Sequence, residues 1–154
     1  TLRPLLDKAI LKEGFKIKLR RKFTVSDVEK FAALSGDYNP LHTNTEHAAT
    51  TRFKQPICHG MLVGSLFSNV VGNHFPRAVY LSQSLSFKSP VFIDEEVHTE
   101  VTIKRIKSDK IYFLDTVITK DFANKSKEEG GSTIVIEGEA VVLLDKEYSN
   151  GNKI

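Results

Sequence analysis

The sequence predicts an α+β fold in which a five- or six-stranded antiparallel sheet lies against one long buried helix. Two observations carry this. Residues 60–72 (GMLVGSLFSNVVG) are apolar around most of a helical circumference, through Met61, Leu62, Leu66, Phe67, Val70 and Val71. The second half of the chain is a succession of β-branched and aromatic runs, at 79–88, 97–105, 111–119 and 133–144. At 154 residues the chain is sized for one domain, expected over 1–154 with its folded core at about 15–144 and a polar tail at 145–154.

The elements follow in order. Residues 15–22 (FKIKLRRK) alternate apolar and charged side chains, as a strand with one wet face does. Ser26 with Glu29 makes a capping box, Val28, Phe31, Ala32 and Leu34 supply a helical stripe, and Gly36 suits a left-handed C-cap, which predicts a helix over 26–35. Pro40 lacks a donor and biases Asn39 toward extended geometry, so 37–42 is read as irregular. A second capping box, Thr43 with Glu46, predicts a short helix at roughly 45–50 within an elaborated crossing at 36–58. On the helix from 60, Gly60, Gly64, Ser68 and Gly72 form a stripe almost without bulk. An interior glycine costs a helix up to ~1 kcal/mol, so close approach by a sheet, another backbone or a thin ligand is expected there. The last three strands are consecutive, which predicts a meander, and residues 129–131 read as a solvated loop. So apolar a sheet in so short a chain is expected to pair with a second copy as a homodimer.

Composition excludes several classes. No apolar run approaches the ~18 residues of a membrane span, and the mean hydropathy is -0.22. The single cysteine, Cys58, permits no intrachain disulfide, and beside His59 it cannot complete a structural zinc site. No G-x-S-x-G elbow and no G-x-G-x-x-G fingerprint occurs. Residues 1–22 hold eight cations against two acids, although the chain carries only +3 overall. Such a segment suits an anionic partner or a solvated edge, yet it has neither the aromatic platform nor the recognition helix of a nucleic-acid module.

Asp37 and His42 flank a proline-directed bend, which can turn two side chains to one point where a straight helix would splay them. A carboxylate beside an imidazole is a workable proton-transfer pair; an Asx-turn aspartate and a surface histidine are the structural alternative. The helix starting at Gly60 offers unpaired N–H groups in the positive field of its dipole, a place that suits an oxyanion. Ser68 either bonds back to its own helix or orients a neighbouring imidazole. His47, His74 and His98 show no metal-ligand spacing, and no metal site is expected.

Residues 31–42 (FAALSGDYNPLH), 56–62 (PICHGML) and 81–91 (LSQSLSFKSPV) closely resemble the MaoC-like, (R)-specific enoyl-thioester hydratase/dehydratase family, over roughly residues 15–144. The resemblance implies a hot-dog fold, a long central helix wrapped by the sheet. It also implies reversible syn addition of water to a trans-2-enoyl thioester, giving a (3R)-3-hydroxyacyl thioester. The acyl group would ride on coenzyme A or acyl carrier protein, with no separate cofactor. By this resemblance Asp37 and His42 are the catalytic pair, the Gly60 amide binds the thioester oxyanion, and Ser68 holds the catalytic imidazole. Asn39, His59, Met61, Val71, Phe87 and Lys88 are the expected substrate-binding residues, Lys88 toward the carrier's phosphate. A noncatalytic hot-dog subunit and, behind it, a hot-dog thioesterase are the alternatives. The start at Thr1 without methionine and the cationic beginning fit a processed mitochondrial chain, with bacterial cytoplasm or peroxisome as alternatives.

Overall fold

The computed structural model describes residues 8–121 and 131–144. The polar tail at 145–154, the first seven residues and most of the 129–131 loop lie outside them. A 3-10 turn, Lys8–Ile10, precedes strand β1 (Lys16–Lys22), and helix α1 (Val25–Ser35) is followed by the short helices α2 (Pro40–Thr43) and α3 (Thr45–Thr50). The long helix α4 (Gly60–His74) leads into β2 (Ala78–Gln83), β3 (Ser86–Phe87), β4 (Glu96–Lys107), β5 (Ile111–Asp121) and β6 (Ser132–Leu144). The strands form one sheet in the order β1-β4-β5-β6-β2, with β3 also on β6, and every pairing is antiparallel. The predicted meander is therefore β4-β5-β6, and this is the hot-dog fold, α4 wrapped by the sheet.

Alternation along the strands builds the core. Val97, Val101 and Ile103 of β4 and Tyr112, Leu114 and Ile118 of β5 are buried, and they cluster with Val63, Leu66, Phe67, Val70 and Val71 of α4. Thr99 and Thr116 interrupt the apolar face; Gln83 Nε2 donates to Thr116 Oγ1 at 3.0 Å. Register shifts that leave one extra residue on β4, β6 and β2 bend the sheet around the helix. Burial of α4 is one-sided, however. Met61 is 59% exposed, and Ser65, Ser68 and Asn69 are exposed with it, so the helix is less enclosed than its apolar content predicts.

The small-residue stripe of α4 is used over half its length. A Cβ on Gly60 would meet the Phe87 ring and one on Gly64 would touch Leu85 and Ile136, whereas Gly72 faces nothing within 4 Å. Side chains of the sheet side are therefore what approaches.

Helix starts differ from the prediction in which residues cap them. Thr24, not Ser26, caps α1 in a capping box with Asp27. The two patterns overlap in the sequence, and burial of Phe23 and Val28 on either side of the cap, as a hydrophobic staple, favours the earlier one. Asn44, not Thr43, caps α3, accepting from the His47 N–H at 2.8 Å. Thr43 is unavailable because it is the last residue of α2. That turn of helix is itself a departure from the irregular segment expected at 37–42: Pro40 takes the first helical position, where its missing donor costs nothing, and Asn39 caps it.

Candidate active site

A chain of side-chain-capped turns delivers the first two site residues. Helix α1 ends at Gly36 in the left-handed region, φ 78°. The Asp37 N–H then donates to Ser35 Oγ at 3.2 Å, Asp37 Oδ1 accepts from the Asn39 N–H at 3.2 Å, and Asn39 Oδ1 accepts from the Leu41 N–H at 3.0 Å. The Asx-turn aspartate considered from sequence and the candidate carboxylate are thus the same residue. One turn of α2 later, His42 Nδ1 lies 2.7 Å from the Ile57 carbonyl oxygen. A carbonyl only accepts, so Nδ1 carries the proton, and in the neutral ring Nε2 keeps its lone pair.

The second segment of the site, residues 57–60, is tied to the segment before β4. Ile57 bridges to Phe92, and the Cys58 N–H donates to the Val91 carbonyl at 2.7 Å. This brings His59 and Gly60 to the start of α4, where the Gly60 N–H, first in the helix, has no intrahelical acceptor. His59 is 2% exposed, its Nε2 donates to the Asp37 carbonyl at 3.0 Å, and its ring stacks on that of His42 with centroids 3.9 Å apart. Burial, and then the neighbouring His42, hold the His59 pKa below the ordinary imidazole value. The Cys58 thiol is pushed up to about 12, chiefly by desolvation, which makes it a poor nucleophile.

Asp37, His42, His59 and Gly60 line a common cavity of about 610 Å³, and Met61, Phe87 and Lys88 line it too. Three expected residues stand elsewhere. Asn39 caps α2 and is not part of the lining. Val71 is 1% exposed in the core, eleven residues past Gly60, or about 16 Å up the helix axis. Ser68 lies on the exposed side of α4, about 12 Å along that axis from Gly60 and outside the cavity lining, and within this chain His42 Nδ1 is bonded to the Ile57 carbonyl. Phe31, which the sequence marks only as part of a helical stripe, and Arg52, Phe53 and Ile136, which it does not mark, also wall the cavity. Only the fold brings Arg52 and Lys88 into the walls of one cavity.

Ligand atoms of Asp37, His42 and His59 lie within 4.8 Å of one another, a spacing a cation can bridge. The ring stack works against that. Imidazole lone pairs lie in the ring planes, and planes only 31° from parallel aim them side by side instead of at one ion.

Residues 8–127 match the MaoC like domain. The chain belongs to the MaoC-like family. Its relatives include the (R)-specific enoyl-CoA hydratase of Aeromonas caviae, 44% identical over 136 residues that cover 87% of this chain and 96% of that protein. The solved (R)-hydratase from A. caviae superposes with a TM-score of 0.78, covering 88% of this chain and 98% of that one. A mitochondrial 3-hydroxyacyl-[acyl-carrier-protein] dehydratase of Arabidopsis thaliana is 38% identical over 137 residues, 89% of this chain and 80% of its own length. MaoC-like relatives therefore carry both bacterial and mitochondrial names, and coenzyme A as well as carrier-protein names.

Proposed function

We infer that this chain is a hydro-lyase that interconverts trans-2-enoyl and (3R)-3-hydroxyacyl thioesters, the reaction type named for its relatives. The observation that carries the reading is the convergence on one cavity of an imidazole with a free Nε2, a carboxylate and an unpaired helix-start N–H. In the hydration direction Asp37 steers a water, His42 Nε2 takes its proton, and the oxygen bonds to C3. Charge moves to the thioester oxygen, where the Gly60 N–H meets it. The proton then returns from His42 to C2 on the same face, so one water is added across the double bond and His42 ends neutral. No cofactor is needed, because the acyl carrier is part of the substrate. Met61 and Phe87 face the acyl group, and Lys88 and Arg52 suit the anionic end of the carrier.

We treat the whole chain as one domain, and as a homodimer joined at the β2 edge, where Val79 and Leu81 are 45% and 52% exposed. Light scattering at assay concentrations should return twice the chain mass. For location we favour the mitochondrion, following the plant relatives named as mitochondrial; imaging of the tagged full-length protein outside that organelle would overturn this. Among the described residues no helix is long and apolar enough to cross a membrane.

The test of the reaction is to supply enoyl thioesters of coenzyme A and of acyl carrier protein, follow loss of the conjugated-enoyl absorbance, and determine the product's configuration. A (3R)-hydroxyacyl product supports the reading, and the faster carrier identifies the partner. Release of free thiol would point to a thioesterase, and inertness toward both carriers to a noncatalytic subunit.

A further inference from the structure

We propose that His59 is a positioning residue that braces both members of the Asp37/His42 pair from behind, and does not bind substrate. This rests on the hydratase reading above. Three contacts carry it. The Nε2–H ties down the backbone carbonyl of Asp37 at 3.0 Å, twenty-two residues away in sequence. One contact of the ring is with the His42 imidazole, at 3.9 Å between centroids, and another is with Phe31, at 4.9 Å. With 2% exposure, His59 is far less open to the cavity than Asp37, which is exposed, or His42, which is half-buried.

The wedge has a mechanical consequence. Asp37 sits on a turn whose other restraints are local, to Ser35 and Asn39, so the His59 tether alone among these hydrogen bonds fixes that turn relative to α4. His42 is held at Nδ1 by one carbonyl, which leaves the ring free to swing about that bond unless a flat partner blocks it. His59 blocks it, and Phe31 holds His59 in turn. The remaining ring nitrogen of His59, Nδ1, is buried and has no hydrogen-bond partner, so the residue stays in place at the expense of a stranded acceptor. A donor from substrate would satisfy that nitrogen, and this separates the two roles experimentally.

His59→Gln keeps an amide N–H at the reach of Nε2 but loses the flat ring; His59→Phe keeps the ring and loses the donor. Each variant is expected to lower kcat by about tenfold or more, with KM within about twofold of wild type, because a misplaced reacting group costs rate and not affinity. In the His42→Gln background the further loss from His59→Phe should shrink, since its target is already disabled. Circular dichroism and the melting temperature verify that each variant is folded, and if one is not, the other carries the comparison. Raised KM with unchanged kcat would make His59 a substrate-binding residue, and unchanged kinetics in both variants would remove any role; either overturns the proposal. If wild-type protein hydrates no enoyl thioester, the hydratase reading has failed, which is a separate result.

Discussion

Replacing Gly60 in two ways separates the space it leaves from the N–H it presents. An alanine Cβ would lie 2.7 Å and 2.9 Å from two carbons of the Phe87 ring, where ordinary carbon contacts begin near about 3.5 Å. The ring must retreat by roughly 0.8 Å on that spacing, and it can, because Phe87 is 54% exposed. Gly60→Ala should therefore fold normally, with a kcat loss below about tenfold. Gly60→Pro imposes a similar crowding and also deletes the N–H. The backbone is suited to it: position 60 is the first of the helix, and His59, at φ -59° and ψ 133°, already has the conformation that precedes proline. Loss of a single oxyanion donor costs about a hundred- to a thousandfold in kcat, so the proline variant should fall at least that far below the alanine variant. The assay is kcat on a short enoyl thioester, with circular dichroism as the folding control. Proline and alanine variants of similar kcat, both folded, would refute the assignment of the Gly60 amide to the oxyanion.

Two further outcomes concern stability. A Cβ at Gly138 would collide with the backbone carbonyl of Ser84, in the gap between β2 and β3, and neither group is a flexible side-chain end. Gly138→Ala should then cost about 2 kcal/mol or more in a denaturant melt, and an unchanged midpoint would contradict the close approach. His59 titrates below its ordinary value of 6.5 in the fold, so beneath that pH the unfolded chain binds a proton that the folded chain refuses. Stability contributed by the neutral ring is intact above this value and is lost as pH falls toward the lower folded pKa. Melting temperature should decline as pH falls below about 6.5, less so in His59→Gln; equal declines would show that the burial of His59 is not the cause.

Much of this was legible in the sequence because it depends on periodicity. The period-2 runs of β4, β5 and β6 and the apolar helix α4 need only their own residues to be read. Caps were harder: Thr24-x-x-Asp27 and Ser26-x-x-Glu29 satisfy the same pattern, and the choice between them lies in the burial of Phe23 and Val28, a tertiary fact. The Asp37/His42 pair was legible as a bend and a motif, but its arrangement was not. Orientation of His42 comes from the Ile57 carbonyl and the His59 ring, fifteen and seventeen residues downstream, which the anchoring of residues 57–58 to Val91 and Phe92 brings into place. Ser68, placed by the family resemblance, and Val71, placed as a tunnel residue of α4, lie outside the cavity lining in this chain.

In the reaction inferred above, Asp37 and His42 act on one water. The most direct test of this is kcat/KM for Asp37→Asn, His42→Gln and the double variant, in both directions, on enoyl and (3R)-hydroxyacyl thioesters of one chain length. Each single substitution nearly preserves size and should cost at least about a hundredfold, or ~3 kcal/mol in the transition state, with far-UV spectra unchanged. The double variant should lose less than the two losses combined. A single variant that keeps more than about a tenth of wild-type kcat/KM would contradict the claim, because the activation of water would then belong to another group in the cavity.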